Sequence, residues 1–494
     1  MSDQQNKDHK NIAGSDELNA SLLDALLPLA FLAFGLFLSV RFYGEDSSYG
    51  PNQIILLLSG CIALLVGMKN GQSWRDMEQG IYNGMIVVFA PSFILLAVGI
   101  MIATWVAGGV VPTMIYYGLT LLSPTVFYAA ACLVCAIVSL SIGSSWTTAA
   151  SVGVAMIGTA NGLGLSPAIC AGAVISGAYF GDKMSPMSDT TNLAPAVAGV
   201  DLFSHIRHMT WTTFPALIIS LIIFMALGLL STPSVGSNDL ELMLAVLESN
   251  FTIAWYMLAP LLLLFFLAWK KMPALPAILI AAFTGILFIW FFQSTGDAAG
   301  SSEQLKLIWS MMFAGYESTT GNANMDDLLS GGGAANMLNT IWLMLCAIFF
   351  GGAMEQTGLL VKILQEIMQH AKTTASIIAS TVVTCIGANI IAADQYMAIV
   401  IPGRMYKVAF QHHNLAPVNL SRVIEDAGTV TSPLIPWNTC GAFMAASLGV
   451  PTMVYLPFCF FNLLMPVISI VYGIMDFKIV RLEEAVMESK MIVP

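Results

Sequence analysis

Runs of about 20 apolar residues recur along the whole chain and constrain its fold more than any other feature of the sequence. Each run is long enough for a helix to cross a lipid bilayer. Only 10% of the 494 residues are charged and 57% are hydrophobic, whereas a soluble protein of this length carries roughly 25% charged residues. The sequence therefore predicts an all-α polytopic membrane protein. The clearest runs are LLDALLPLAFLAFGLFLSV, MIVVFAPSFILLAVGIMIATWV, LIISLIIFMALGLL and YLPFCFFNLLMPVISIVYGI.

Basic residues prefer cytoplasmic loops, and here they fall between alternate runs. Lys69 and Lys270 mark two basic loops. Three other segments are rich in acidic residues: 42–52, 232–251 and 294–337. Together they contain a single basic residue, Lys306. We therefore expect both polar tails, 1–20 and 481–494, in the cytoplasm, and 294–337 outside. We expect no cleavable signal peptide, because the first 20 residues are polar and lack a short apolar core.

The two halves of the chain resemble each other at a spacing near 250 residues. Segment 166–200 lies over 416–450, and in that frame prolines and a Gly-Val pair coincide. IGSSWTTAA (142–150) also resembles IGANIIAAD (386–394). Internal repeats of this kind indicate that one structural unit occurs twice.

Charge places the two halves in opposite orientations. The run at 81–106 follows a cytoplasmic loop, whereas its counterpart at 338–356 follows the acidic outer segment. The amphipathic segment 110–124 has no basic residue, whereas 359–372 has two lysines. Two inverted-topology repeats, which are typical of secondary transporters, are therefore expected at 21–231 and 252–480. Each has about five spans with broken or re-entrant helices, which gives about 10–12 transmembrane segments.

Ionisable residues inside these runs are the candidates for chemistry, because each costs at least ~2.5–3.5 kcal/mol at membrane depth. Proline and glycine lie beside them: Pro186, Pro436 and Gly143 should each interrupt a helix. A broken helix leaves backbone groups that a membrane tolerates only when they line a cavity or are buried in protein. Carbonyls, hydroxyls and carboxylates together are the oxygen ligands of a hard cation such as Na⁺. The candidate acids are Asp182, Asp189, Asp394, Glu425 and Asp426, with Lys183 among them.

Burial disfavours the charged form of a carboxylate, so one buried acid can hold a proton in one state and a cation in another. Asp394 is the leading candidate, because no basic residue lies near it in the sequence. Lys183 can equally be a structural partner of Asp182 or of another acid. Glu425 can pair with Arg422 at i, i+3.

Two further acids also have structural explanations. Asp189 can cap a helix that begins at Thr190, and Glu355 can be solvated just beyond its span. Trp146, Trp437 and Tyr179 are interpreted as packing or interface residues.

Cysteine and histidine give no sign of a metal or redox site. Cys132 and Cys135 form a CxxC without a second pair or a nearby histidine, so we interpret them as buried packing residues. All six histidines are predicted to lie in tails or loops, which argues against a buried histidine ligand set.

Several long segments resemble the signature segments of the NhaC family of bacterial Na⁺/H⁺ antiporters. They are SSWTTAASVGVAMIG, GAVISGAYFGDKMSPMSDTTNLAPAVAG, DLFSHIRHM, ADQYMAIVIPGRMYK and LSRVIEDAGTVTSPLIPWNTCGAFM. The resemblance covers about 20–480 and implies inverted repeats with re-entrant hairpins in a bacterial cytoplasmic membrane. By position it points to the five acids with Ser144, Ser145, Thr190, Asn192, Thr431, Ser432 and Asn438 as ion- or proton-binding residues. On chemical grounds Asp394, Asp182 and Asp426 are the candidate Na⁺ ligands.

The expected function is secondary antiport of Na⁺, with Li⁺ as a further candidate, against H⁺. Neither a nucleotide-binding motif nor a sizeable soluble domain occurs, so no enzyme activity, cofactor or nucleic acid is expected. The nearest alternative is a Na⁺-coupled organic acid exchanger, because some relatives of the family exchange malate with protons for lactate with sodium. That activity needs positive charge, which Lys183, Arg404 or Arg422 could supply, or helix N-termini that face the carboxylates of the substrate. An aspartyl protease suggested by YFGD (179–182) and a passive channel fit less well, and a homo-oligomer stays open.

Overall fold

The computed structural model describes residues 20–231, 237–293, 301–369 and 372–482. Within these ranges the chain is helical, with two isolated bridges between Tyr316 and Gly331 and between Leu415 and Arg481. The predicted all-α class is therefore confirmed. Most of the two polar tails, together with 232–236 and 294–300 of the acidic segments, lies outside the described residues.

The described part of the first half forms ten α-helices joined by short connections. A π-helical turn, Ala149–Gly153, links α6 to α7. The helices are α1 Leu22–Tyr43, α2 Pro51–Lys69, α3 Trp74–Ala107, α4 Val110–Leu121, α5 Phe127–Ile142, α6 Ser145–Thr148, α7 Val154–Gly162, α8 Pro167–Met184, α9 Asp189–Ala198 and α10 Leu202–Leu230.

The described residues of the second half form thirteen α-helices and a second π-helical turn, Glu425–Thr429, which continues the helix Pro417–Ile424. The others are α11 Ser237–Asn250, α12 Ala259–Trp269, α13 Ala274–Phe292, α14 Ser301–Ala314, α15 Ala323–Leu329, α16 Leu338–Gln356, α17 Leu359–Met368, α18 Thr374–Ile391, α19 Gln395–His412, α20 Thr439–Leu448, α21 Thr452–Tyr455 and α22 Phe460–Met475. Short 3₁₀ turns occupy Gly44–Ser48, Trp255–Leu258, Ala335–Met337, Ser432–Leu434 and Leu456–Phe458.

Seven helices of the described chain are long and apolar enough to cross a membrane, and nine do so if each of two bent pairs counts as one span. The bends are sharp, at 82° between Leu240–Asn250 and Trp255–Trp269, and 88° between Thr439–Leu448 and Thr452–Phe458. Three of the four quoted apolar runs lie within single helices. The fourth is divided, because the chain leaves helical geometry at Cys459 before α22 begins.

Two of the predicted helix breaks occur, at Gly143 and before Pro186, whereas other prolines such as Pro91 and Pro215 lie inside continuous helices. α5 ends at Gly143, which has a φ of 77°, and α8 ends two residues before Pro186. The break between α18 and α19 carries no such signal, because Ala393 adopts the left-handed region at a φ of 56°. Alanine is rarely found there, so this break was not predictable from its residue type.

Elements of the two halves begin and end at corresponding residues. α9 and α20 are Asp189–Ala198 and Thr439–Leu448, which differ by 250 at both ends. The breaks at Gly143 and Ala393 have the same spacing. IGSSWTTAA therefore corresponds to the residues after Ile391 rather than to IGANIIAAD, whose glycine, Gly387, lies inside the continuous helix α18.

The segment Tyr316 to Gly333, which contains α15, packs against the C-terminal half of α3. The amide of Gly333 donates to the Gly99 carbonyl at 2.6 Å. Asp326 holds the segment together, because its Oδ1 accepts hydrogen bonds from the Thr320 amide at 2.6 Å, the Thr320 hydroxyl at 2.8 Å and the Ser318 hydroxyl at 3.0 Å. The Thr320 amide, with these hydroxyls, lowers the pKa of Asp326 below its ordinary value.

Replacement of Asp326 by Ala should loosen residues 316–331. A carboxyl whose folded pKa is lowered stabilises the fold above its unfolded pKa, and that contribution is lost as the pH falls through the folded value. Hydrogen exchange of this segment, corrected for intrinsic rates, should therefore rise in the variant and converge with that of the native protein in strong acid.

The exposed neighbour Glu317, replaced by Gln, is the matched control, and it should leave exchange unchanged. Equal protection of the native protein and Asp326→Ala at neutral pH would contradict the role of this carboxylate.

Candidate cation site

A cavity of about 780 Å³ lies between the two halves of the chain. The first half contributes Asp182, Asp189 and the hydroxyls beside them, and the second half contributes Asp394. The predicted site residues on its lining are Ser144, Ser145, Asp182, Asp189, Thr190, Asn192 and Asp394. The structure thus brings seven of the twelve predicted residues around one space.

Asp182 lies in the last turn of α8 and is bound to the break after α5. Its Oδ2 accepts hydrogen bonds from the Ser145 hydroxyl at 2.7 Å and from the Ser145 amide at 3.2 Å. The hydroxyl of Thr191 donates to the carbonyls of Asp182 and Lys183. The C-terminus of α8 is therefore satisfied by side chains, and the Asp182 carboxylate is held against the cavity.

Asp394 caps the N-terminus of α19. Its Oδ1 accepts hydrogen bonds from the amides of Tyr396 at 2.9 Å and Met397 at 3.1 Å, and Oδ2 accepts one from Thr439 at 3.4 Å. Its side chain is 2% exposed, and no described residue forms an ion pair with it.

Asp189 is not the cap of its helix. Ser188 is the N-cap residue of α9 and accepts from the Thr191 amide at 3.4 Å, whereas Asp189 is the first helical residue and is exposed to the cavity. Thr190 is buried, and its hydroxyl forms a hydrogen bond with the Ser188 hydroxyl at 3.1 Å. Asn192 donates to the carbonyls of Pro186 and Ser188.

Five described helices begin at or beside the cavity, and side chains of the protein cap four of them, whereas α13 begins after Pro273 without a side-chain cap. The positive end of a helix dipole attracts anions, but at the four capped helices a side-chain oxygen of the chain already accepts free amides. The capping residues are Ser144, Ser188, Asp394 and Asn438. The cavity lining then carries three carboxylates against one cationic side chain, the exposed Lys271. Its electrostatic character therefore favours a cation.

A second cluster of charges lies behind the cavity and does not line it. Lys183 and Asp426 form an ion pair at 2.7 Å with neither side chain exposed. The Thr212 hydroxyl also donates to Asp426 Oδ1, at 3.2 Å. Lys183 thus pairs with a distant acid rather than with its neighbour Asp182, so consecutive residues of one helix serve different clusters.

Arg422 and Glu425 complete this buried cluster. The predicted pairing of Arg422 with Glu425 does not occur. The Arg422 Nε instead lies 4.0 Å from the Oδ2 of Asp426, which is four residues later in the same helical segment. Its Nη1 donates to the Lys478 carbonyl at 2.9 Å. Both Glu425 carboxyl oxygens are buried without a hydrogen bond among the described atoms.

A third group of polar residues satisfies the backbone at the breaks. Asn389, which the sequence analysis did not select, donates to the Gly428 carbonyl at 2.6 Å and to the Thr431 hydroxyl at 3.1 Å. Asn438 donates to the carbonyl and side-chain oxygens of Asn389. Ser432 donates to the Thr429 carbonyl at 2.7 Å. These predicted site residues thus hold the broken helices together, and none of them lines the cavity.

Aromatic side chains join the two halves at this level. Trp146 stacks on Phe443 with ring centroids 4.1 Å apart, as expected for a packing residue. Within the second half, the Trp437 indole donates a hydrogen bond to the Ile390 carbonyl at 2.8 Å. Several carbonyls that the breaks release are therefore occupied by side chains, which leaves carboxylates and hydroxyls as the candidate cation ligands.

The expectation that all six histidines lie in tails or loops is wrong for the buried His205 and His208. His412 is the last residue of α19, and His9 and His370 lie outside the described residues. His205 and His208 lie on α10 and are buried, since a helix starts at Leu202 where a loop was expected. His205 Nδ1 contacts the Ser421 hydroxyl at 2.9 Å. Within the described ranges, however, no three His, Cys, Asp or Glu side chains are grouped so that they could hold a metal ion.

Cavity residues that the sequence analysis missed include Tyr396, Gln395 and Thr439. Tyr396 and Gln395 follow Asp394 directly, and Thr439 occupies the position equivalent to Asp189 in the 250-residue frame. Thr439 could therefore have been predicted from the sequence, by shifting Asp189 by 250 residues.

Loss of Asp426 should destabilise the protein more than loss of Lys183. Asp426→Asn leaves two buried cations, Lys183 and Arg422, without their partner, and removing one member of a buried pair costs about 3–5 kcal/mol. Lys183→Met leaves Asp426 with Arg422 still 4.0 Å away. Thermal unfolding in detergent should show both losses.

The double variant Lys183→Met/Asp426→Asn should lose less than the sum of the single losses, because the pair is coupled. Strict additivity would contradict a direct interaction. The control is Lys362→Met, which removes a partly exposed pair with Glu366 and should have little effect.

Comparison with known proteins places these features in a family. Residues 177–477 match the sequence model of the Na⁺/H⁺ antiporter family. A Na⁺/H⁺ antiporter NhaC of Alkalihalophilus pseudofirmus is 40% identical over 421 residues, which cover 85% of this chain and 89% of the relative. The arginine/ornithine antiporter ArcD of Halobacterium salinarum is 36% identical over 470 residues, covering 94% and 93%. A malate-2H⁺/Na⁺-lactate antiporter of Bacillus subtilis is 33% identical over 454 residues, covering 91% and 95%. The chain therefore belongs to the Na⁺/H⁺ antiporter family.

Proposed function

We propose that this protein is a secondary antiporter that exchanges Na⁺ for H⁺ across a bacterial cytoplasmic membrane. The observation that carries the proposal is the carboxylate-lined cavity between the two halves. Asp394 and Asp182 are buried there, and no described Lys or Arg side chain forms an ion pair with either of them. Such intramembrane acids usually mark an ion or proton pathway. The family and the NhaC relative support the same exchange.

Asp394 is the proposed centre of the exchange. In one state the carboxylate holds a proton, and in the other it is ionised and binds Na⁺ with the Thr439 hydroxyl nearby. Asp182 with Ser145, and the hydroxyl of Thr190, are the proposed additional ligands from the first half. Because both ions use one carboxylate, binding of one displaces the other, and no covalent step or cofactor is needed.

The buried cluster has a different proposed role. Lys183 neutralises Asp426, which fixes α8 of the first half to the π-helical turn of the second half. Asp426 is therefore proposed as a structural partner rather than as a direct Na⁺ ligand. Glu425, Thr431, Ser432 and Asn438 are proposed to support the broken helices from behind the cavity.

Coupling by alternating access fits the two repeats. We infer that they have inverted topology, with both termini in the cytoplasm, as the distribution of basic residues predicts. In that orientation Lys271 lies at the cytoplasmic side, so the large cavity opens inward. A membrane potential contributes ~2.3 kcal/mol per charge for each 100 mV, which is sufficient to drive transport whenever the exchange is electrogenic.

Exchange of organic acids, the activity named for the Bacillus subtilis relative, is less well supported. An organic anion needs free positive charge, but Lys183 is fully buried against Asp426, and the exposed Lys271 of the cavity lining is outnumbered by three carboxylates. Four of the five described helix N-termini at the cavity are capped by side chains. Arg404 and Arg422 do not line the cavity. A Lys183→Ala protein that retains Na⁺/H⁺ exchange would further weaken this alternative.

Purified protein in sealed liposomes with an internal pH dye provides the test. A pH gradient is imposed, and NaCl, LiCl or KCl is added; sodium malate is added to separate vesicles loaded with lactate. In vesicles loaded with ornithine, uptake of radiolabelled arginine is measured directly, because a one-for-one exchange of these cations moves no proton. Collapse of the gradient on addition of NaCl alone is expected. Collapse that requires an organic substrate would replace the proposal with exchange of that substrate.

Replacement of Asp394 by Asn should abolish exchange at every pH, because the amide neither binds a proton nor attracts Na⁺ as a carboxylate does. The native protein should instead depend steeply on pH, since exchange requires both forms of the carboxyl group. Initial rates over a range of pH values measure both effects.

Glu303→Gln, which alters an exposed acid on α14, is the control and should keep the native pH profile. An active Asp394→Asn protein, or a flat profile for the native protein, would contradict the shared-carboxylate mechanism.

A further inference from the structure

Asp394 borders a second cavity besides the one described above. This cavity has a volume of about 280 Å³ and is lined on one side by α3 and on the other by α16. It has room for several water molecules. At its far end lies the exposed side chain of Glu355, in the last turn of α16. Asp394 is thus reached from two directions.

Glycines of α3 and α16 line the second cavity. Gly84 on α3 faces Gly352 on α16, since a Cβ added at Gly84 would lie 3.9 Å from the Gly352 Cα. Gly351 differs from these two glycines, because a Cβ at this position would lie only 2.8 Å from the Ala392 carbonyl oxygen. The close approach of α16 to the break at Ala393 therefore requires glycine, whereas Gly84 and Gly352 have space beside them that remains unfilled.

Charge along this cavity is of one sign. Glu355 at the mouth and Asp394 at the inner end are the two ionisable residues of its lining, and no described basic residue pairs with Glu355. A passage with carboxylates at both ends attracts cations and excludes anions. The large cavity has a different lining and reaches Asp394 past Asp182 and Asp189.

We propose that the smaller cavity is a second cation entry route, which runs from Glu355 between α3 and α16 to Asp394. The inference rests on the proposed role of Asp394 in exchange and adds a path to it. With two routes, an arriving cation need not pass the ion that is leaving Asp394 through the large cavity.

Cysteine labelling of the glycine wall tests the route. Gly352→Cys fits without a clash, because its Cβ would meet the Ile81 Cα at 3.6 Å. The background is Cys61→Ser, since Cys61 is exposed and the other seven cysteines are buried. A positively charged methanethiosulfonate reagent is applied to inside-out and right-side-out vesicles, the extent of labelling is measured by mass spectrometry, and exchange is measured afterwards.

Labelling from one side of the membrane, with a loss of exchange of about tenfold or more, is expected for Gly352→Cys, because the attached cation blocks and repels within a narrow path. Gly387→Cys is the matched control: its Cβ would meet only the Leu364 Cδ2 at 3.9 Å, and it lines neither cavity. Labelling there should change exchange by less than about twofold.

Three results would overturn the route: no labelling of Gly352→Cys from either side, full labelling with unchanged exchange, or an equal loss in the labelled Gly387→Cys control. If Gly352→Cys does not fold, Gly84→Cys serves instead, because its Cβ would meet the Ile348 Cγ2 at 3.7 Å. Failure of Na⁺/H⁺ exchange itself is recognised separately, since the unlabelled native protein would then be inactive while the mass measurement still reports access to the cavity.

Discussion

The need to satisfy backbone groups at broken helices shapes the whole centre of this protein. Each break releases amides and carbonyls, and unpaired groups of this kind are costly where water is absent. The chain answers with side chains at fixed places: Asp394 takes the amides that begin α19, Asn389 takes the Gly428 carbonyl, and Trp437 takes the Ile390 carbonyl. The polar residues that looked like a single binding set in the sequence are therefore divided between backbone repair and the cavity.

This division explains how neighbouring charges acquire separate roles. Asp182 and Lys183 are consecutive in the last turn of α8, so their side chains leave the helix about 100° apart. One faces the cavity and the other meets Asp426 on the opposite half. The ion pair thus stabilises the contact between the halves without neutralising the carboxylates of the cavity.

The class of fold, most helix breaks and the acids of the site could be predicted because they depend on local composition. Apolar length identifies the spans, and Pro186 and Gly143 mark breaks by their own geometry. The partner of Lys183 could not be predicted, since Asp426 lies 243 residues away and several acids were equally plausible. The break at Ala393 and the role of Asn389 were also out of reach, because each is imposed by packing around it rather than by the residue type. The two buried histidines were misplaced because a polar helix start was interpreted as a loop.

The contact between Gly351 and the Ala392 backbone has a consequence for how such a transporter can diverge. It sets the distance between α16 and the start of α19 with a residue that carries neither charge nor side chain. A change of one methyl group there would shift the Asp394 cap relative to Asp182 and Thr439, while the identity of every candidate ligand residue stayed the same. Relatives with nearly the same acids could therefore differ in ion preference through helix spacing alone, so a comparison of ligand residues would not reveal the difference.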